Sequence, residues 1–363
     1  MQANDIVALA TELQRQKETK RDFIVPSGQI KAENVTMEEG SSKIMLHIPS
    51  PEVPEHDLSY EITEHCHDQI AGKTRIPTRF YRRLQESHPE LLVKNINTLI
   101  QEKDKRLVRT LDGKARALLS DRYRIIDNYD VLFNAMDVFK QMNDGEQKGI
   151  FIKRADLTDT RLYIKALSNS LVDEVFGHRE GERRVGDAVQ GGIIISNSEV
   201  GNGAYKVMPF MNVLKCQNGL ISEESFAKVH LGRTKEVGEI DWSDDTLRLD
   251  DEALWSKISD LIRGTFNPEI FSKWVDRING VAETVIEKPT VAINNVVKRY
   301  GLPPSRTDEL LSAFAQEGYT QWGLSNAVTW VAHEVSDYET QVEMEKAGVK
   351  ILEEKNVEVF TEA

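Results

Sequence analysis

Residues 189 to 221 read VQGGIIISNSEVGNGAYKVMPFMNVLKCQNGLI. This stretch constrains the fold more than any other. Apolar, β-branched runs are closed at short intervals by polar, glycine-containing groups, which is the pattern of antiparallel strands joined by tight turns. The run Ile193-Ile194-Ile195 reads as a buried strand. Behind it come Asn197, Ser198 and Glu199, with Gly201 and Gly203 to allow the reversal. The first reading of these polar side chains is turn-locking, with bonds to nearby backbone N–H groups. The alternative reading centres on Glu199, an acid at the end of a buried strand, where partial burial raises a carboxyl pKa and suits it to catalysis. Asn218-Gly219 marks a second turn. Pairing of strands 192–197 and 205–216 places Asn197 and Asn218 at opposite ends of one hairpin.

The same alternation recurs nearby. RLVRTLDGKARALLS turns at Asp112-Gly113, a strong hairpin signal. GIFIKRADLTDTRLYIKAL bends at LTDT, and ESFAKVHLG reads as a further strand. HREGERRVGD reads as a charged loop. Upstream, a helix is expected over 4–20, strands at FIVPSGQI and KIMLHI, and helices over 58–71, from Thr78, and over 88–101. Another helix starts at about 128. Beyond about residue 240 the period is helical to the end: DDEALWSKISDLIRGTF, PEIFSKWVDRINGVAETVI, TVAINNVVKRYG, RTDELLSAFAQEG and a last helix over 320–347. The expected class is α+β: an antiparallel β-meander of five or more strands with packed helices, then an all-helical C-terminal region. The expected division is 1–57, an N-terminal helix and strand segment; 58–240, the core with a basic hairpin; and 241–363, an acidic helical region.

The net charge is −13. Residues 73 to 124 nevertheless carry fourteen Lys or Arg against six Asp or Glu, whereas residues 235 to 363 carry thirteen against twenty-five. A basic segment inside an acidic chain gives two readings. In the first, Lys73, Arg75, Arg79, Arg82 and Arg83, with Arg109, Lys114, Arg116, Arg122 and Arg124, track the phosphates of a nucleic acid, and Tyr123 stacks on a base of a single strand. The helix–break–helix around Ala71, Gly72 and Ile76-Pro77 also has the outline of a helix-turn-helix. In the second, the basic segment neutralises the acidic helices across an internal interface. The acidic C-terminal region is also a candidate surface for a host protein partner. Ring or other homo-oligomeric assembly stays open.

Standard catalytic signals are missing. The chain has no GxxxxGK[ST], no GxSxG and no HExxH. No cofactor is called for, and an enzyme is the less favoured class. EITEHCHD, residues 61 to 68, is the densest group of potential ligands: read as a helix, it puts Glu61, Glu64, His65 and Asp68 on one face. A solvated acidic face is preferred there to a metal site. Cys66 and Cys216 are the two cysteines, which suits a reducing cytoplasm. No run of apolar residues is long enough to span a membrane, and MQANDIVALATELQRQKETK does not read as a secretory signal.

Four blocks, RALLSDRYRIIDNYDVL, GGIIISNSEVGNGAYKV, LKCQNGLI and YTQWGLSNAVTWVAHE, together resemble the phage/plasmid-like protein family. They fall between about residues 70 and 338, in the family's order. CQNG departs modestly from the family's CTNG-like block. The resemblance implies a protein of phages, plasmids and integrated mobile elements, in neighbourhoods of DNA maintenance and evasion of host restriction. It brings no catalytic residues with it. The resulting expectation is a cytoplasmic accessory protein that binds nucleic acid, with single-stranded DNA in annealing, recombination or maintenance as first choice. A factor countering host defence, and an enzyme centred on Glu199, Asn197 or Glu64–His65, are the alternatives.

Overall fold

The computed structural model describes the chain except residues 1, 4–5, 37–41, 53–55, 101–103, 147, 181–182, 216–217, 223–226, 229–242 and 362–363. It begins with β1 (Gln2–Ala3) and α1 (Ile6–Thr19). Residues 21 to 120 then form a first unit: β2 (Arg21–Pro26), β3 (Lys31–Thr36), β4 (Ser42–Pro49), β5 (Asp57–Ile62), α2 (Glu64–Thr74), α3 (Thr78–Ser87), α4 (Pro89–Leu99), β6 (Lys105–Leu111) and β7 (Lys114–Ser120). Its sheet runs in the order β2-β6-β7-β5-β4-β3. All neighbours are antiparallel except β5 and β7, which pair in parallel at Glu61–Lys114 and Ile62–Ala115. The β6–β7 turn is the expected one: Asp112 and Gly113 have φ of 50° and 76°, the left-handed pair that a two-residue hairpin turn requires.

The second unit follows, with α5 (Asn128–Glu146), β8 (Ile150–Leu157), β9 (Leu162–Glu180), β10 (Arg183–Asn197), β11 (Lys206–Val213), β12 (Asn218–Ile221) and β13 (Ala227–Lys228). Its sheet order is β1-β8-β9-β10-β11-β12, with β13 also on β11. This is the expected meander. Six helices complete the chain: α6 (Asp244–Thr265), α7 (Pro268–Asn279), α8 (Pro289–Tyr300), α9 (Thr307–Glu317), α10 (Gln321–His333) and α11 (Tyr338–Glu353). The α+β class with a helical C-terminal region is therefore what the chain adopts.

Both faces of the second sheet are covered, which explains the unbroken apolar run at Ile193–Ile195. One face packs Ile164, Ile193 and Ile195 against Leu9 and Leu13 of α1, Leu132 and Phe139 of α5, and Ile258 and Ile262 of α6. The other packs Tyr163, Ile194, Met208 and Phe210 under Tyr338 and Val342 of α11. Within that second layer Lys165 is buried, with its Nζ 2.6 and 2.7 Å from the two oxygens of Glu345. Gly219 makes room for this pair, because a Cβ there would come within 2.6 Å of the Phe210 ring and 2.9 Å of Glu345 Oε1.

Several expectations need correction. Residues 57–62 form a strand, and the helix begins only at Glu64, where Thr63 caps it through the amide of Cys66. The local pattern was ambiguous, and the choice was made by β4 and β7, which flank this strand. Glu61 is thus not on the helical face with Glu64, His65 and Asp68. β2 to β4 share a sheet with β5 to β7, on both sides of residue 58. In HREGERRVGD, residues 178–180 and 183–187 belong to the arms of the long β9–β10 hairpin, which pair as far as Glu180 and Arg183; the two residues between lie outside the described residues. YKVMPFMNVLKCQNGLI divides into β11 and β12, and Val213 pairs with Asn218. Asn197 and Asn218 do lie at opposite ends of the β10–β11 hairpin. The helix expected over 320–347 breaks at 334–337, where Asp337 caps α11 by accepting from the Thr340 amide. Most of ESFAKVHLG, and Cys216, lie outside the described residues.

Gly192 tests the sheet. A Cβ at this position would sit 2.0 Å from the Ala166 carbonyl oxygen of the paired strand, so backbone must move. Gly192→Ala is expected to destabilise the protein by about 3 kcal/mol or more. Urea unfolding checks this, and an unchanged midpoint would refute the packing argument.

Candidate nucleic-acid interface

The candidate basic residues divide into an inner and an outer set. The inner set is organised by the connection between β10 and β11, residues 198–205. This loop does not stay within its own hairpin: it inserts against the sheet of the first unit. Val200 is buried with Leu107, Ala117 and Leu119 of β6 and β7. Its carbonyl accepts from Gln69 Nε2 of α2 at 2.6 Å and lies 2.9 Å from His65 Nε2. Gly201, at φ 77°, is the one residue that fits the reversal, since a side chain would meet Leu119 at 2.6 Å.

Glu199 is 1 % exposed and carries its charge into this contact. Lys20 Nζ donates to Oε1 at 2.7 Å, and the Asn128 amide at the N-terminus of α5 donates to the same oxygen at 2.7 Å. Arg116 donates to Oε2 at 3.0 Å. A carboxylate at a helix N-terminus is further favoured by the helix dipole. Arg109 sits beside it, 2 % exposed. It donates to both oxygens of Asp22 at 2.9 and 3.0 Å, to Asp127 at 2.7 Å, and to the Glu199 carbonyl at 2.9 Å. Lys20 also lies 3.2 Å from Asp127. Three cations and three carboxylates therefore interlock, and their formal charges cancel. Burial would raise the Asp127 carboxyl, but Arg109 and Lys20 outweigh it and hold the group below its usual value.

The polar neighbours complete the junction. Asn197 donates to the Ile126 carbonyl at 2.9 Å and to Asn128 Oδ1 at 2.8 Å. Ser198 alone follows the turn-locking expectation: its Oγ accepts from the amides of Val200 and Asn202. Its carbonyl accepts from the Tyr123 hydroxyl at 2.8 Å. Asn218 opens β12, away from this site, and its side chain lies outside the described part.

Four of the candidate phosphate contacts are ion-paired within the protein. Arg109 is enclosed among carboxylates. Arg116 is held by Glu199. Arg124 pairs with Asp250 at 3.0 Å and Asp251 at 2.6 Å on α6. Arg82 folds back on Glu64 and on Asp68, the latter at 2.6 Å. Tyr123 has its hydroxyl engaged inside the junction and is not placed as a free stacking platform. For these residues charge neutralisation describes the arrangement, although only Arg124 finds its partners in the acidic C-terminal region. Glu199 likewise has both oxygens engaged, Oε1 by Lys20 and the Asn128 amide and Oε2 by Arg116.

The outer set remains on the surface. Arg75 occupies the break between α2 and α3 with φ 56°, and Arg79 and Arg83 lie one turn apart on α3; all three are exposed. Phe80 is 48 % exposed among them. Lys114 is exposed at the start of β7 and Arg122 in the turn after its end, and Lys73 is half-buried in the last turn of α2. Among the described residues no group of three or more potential ligands could hold a metal. Cys66 is fully buried in the core of the first unit, and burial pushes its thiol up to about 12. Sequence reasoning missed Lys20, Asp22 and Asp127. Glu199 meets Lys20 across 179 residues, and Arg109 meets Asp22 across 87. No periodicity reports such pairs.

Removing one member of a buried ion cluster strands the others. Glu199→Gln is expected to cost about 3–5 kcal/mol in urea unfolding. Arg122→Gln, in the exposed turn after β7, should cost less than about 0.5 kcal/mol. The pH response follows from Asp127. Its folded value lies below its ordinary 3.8, so its contribution is complete above that value and is lost as pH falls through the folded one. Acid unfolding of Asp127→Asn should therefore show a shallower pH dependence below about pH 4 than the parent chain; an identical profile would contradict the assignment. No protein-family model, no curated protein and no solved structure matches the chain.

Proposed function

We propose that the chain binds nucleic acid, with single-stranded DNA as the favoured ligand, through the exposed face formed by Arg75, Arg79, Phe80 and Arg83. One observation carries this reading. The acidic residues of the neighbouring helix, Glu64 and Asp68, are drawn off by Arg82, while Arg75, Arg79 and Arg83 stay exposed around an exposed aromatic ring. Guanidinium groups one helical turn apart suit successive phosphates, and a half-exposed phenyl ring offers a base a stacking surface that is indifferent to sequence. Arg109, Arg116 and Arg124 of this segment are engaged by carboxylates of the protein, whereas the cations of α3 and its N-terminal break stay exposed. A role in DNA handling on a mobile element is the context that the sequence resemblance implies for such a face.

Fluorescence anisotropy of a labelled single strand, titrated at several salt concentrations, is the test. Binding should weaken with salt. Arg79→Ala with Arg83→Ala should reduce the slope of log K against log salt by roughly 1.4, the value for two phosphate contacts on a single strand. Phe80→Ala should lower affinity by about 1–3 kcal/mol while leaving that slope unchanged. A duplex of equal length serves as the competitor. Salt-independent binding, or no binding at low salt, would sink the proposal, and preference for the duplex would redirect it to a groove-reading use of α3.

A further inference from the structure

A cleft of about 190 Å³ opens where the start of β4, the end of β5 and the first turn of α2 meet α3 and α4. Ile44, Ile62 and Pro89 give it apolar walls, and Glu64, His67 and Gln85 line it with polar groups. His67 is 3 % exposed, and burial pushes its imidazole down to about 4, so the ring is neutral near pH 7. Its Nδ1 lies 2.8 Å from the hydroxyl of Tyr81, which is fully buried. That ring nitrogen is the hydroxyl's one acceptor among the described residues, so the hydroxyl donates to Nδ1 and the ring carries its proton on Nε2. The Nε2–H bonds to nothing among the described residues, a costly state for a buried donor. Gln85 is oriented by Arg82, whose guanidinium donates to its Oε1 at 3.1 Å and leaves the amide N–H groups for the cleft. Glu64 meets Arg82 through Oε2, so Oε1 keeps its acceptor capacity. Lys43, at the rim, is paired with Glu61 at 2.9 Å, so the local charges cancel and a neutral ligand suits the cleft.

We propose that this cleft takes one cytosine base, with its ring against Ile44, Ile62 and Pro89 and its pairing edge on Glu64, Gln85 and His67. That edge carries an amino donor at N4 and acceptors at N3 and O2. The cleft offers the complementary set, one acceptor in Glu64 and two donors in Gln85 and His67. Uracil has the same shape but carries a carbonyl in place of the amine and an N3–H in place of the acceptor. It would set a carbonyl against the Glu64 carboxylate and a donor against a donor, which leaves buried groups unpaired. Gln85 belongs to the helix that carries Arg79 and Arg83. The inference therefore deepens the single-strand reading and rests on it for the strand: phosphates are held on α3 while one base turns into the cleft.

Isothermal titration of the full chain with cytidine tests the cleft without any phosphate contact, and uridine is the comparator. Cytidine should bind saturably at one site, and uridine about tenfold more weakly, the scale of one buried group left unpaired. Gln85→Ala, at a half-buried position, should keep the urea midpoint of the parent, weaken cytidine by about three- to tenfold and leave uridine unchanged. Glu64→Ala should narrow the gap between the two nucleosides. The proposal is overturned by absence of saturable cytidine binding, by uridine binding as tightly as cytidine, or by Gln85→Ala binding cytidine like the parent chain. Failure of the two readings is distinguishable. Cytidine binding without salt-dependent binding of a single strand sinks the α3 face and keeps the cleft, and salt-dependent binding of oligothymidylate without cytidine binding does the reverse.

Discussion

Six charged side chains at the contact between the two sheets, with Arg109 and Glu199 buried at their centre, hold the molecule in its arrangement. Lys20, Arg109 and Arg116 face Asp22, Asp127 and Glu199 within hydrogen-bond distance. Desolvating such groups is costly, and their mutual attraction offsets that cost only where geometry is good and the remaining donors and acceptors are satisfied. Backbone groups add two further bonds, the Asn128 amide to Glu199 and Arg109 to the Glu199 carbonyl. The cluster ties together the strand entry after α1, the β6–β7 hairpin, the start of α5 and the β10–β11 loop. Misdocking by one register would leave a charge buried without a partner, so the junction favours one relative placement of the two units over alternatives that are equally apolar.

That constraint decides which surfaces are left to act. Arginines needed inside the junction are withdrawn from solvent, and Arg124 is withdrawn by α6. Accessible cations of the basic segment remain on α3 at Arg79 and Arg83, before it at Arg75, on α4 at Lys94, and near the β6–β7 hairpin at Lys105, Lys114 and Arg122. The cleft between β4, β5, α2 and α3 shares no lining residue with the junction. The exposed face of α3 and this cleft can therefore each be altered without touching the buried ions. The Lys165–Glu345 pair plays a similar positioning part in the second layer, because it sets α11 on β9 at a site that Gly219 keeps open.

The sequence by itself determined the meander, the Asp112-Gly113 turn, the start of α5 and the helical C-terminal region. Each of these depends on interactions between near neighbours: side-chain alternation, left-handed turn residues and helix caps. It also singled out Glu199 as an unusual acid. Tertiary structure decided the rest. Residues 57–62 became a strand because two flanking strands accepted them, and α10 and α11 separated because Asp337 caps a new helix that packs back on the first, where Ser325 bonds the Gly348 carbonyl. Whether an arginine was a surface cation or a buried counter-ion could not be read locally. Arg82 and Arg83 are adjacent and have opposite fates, and Arg109 differs from Arg122 only through partners far away in the chain. Charge is a property of the residue, but its availability depends on which distant carboxylate the fold brings within 3 Å, and that is a long-range outcome with no local period.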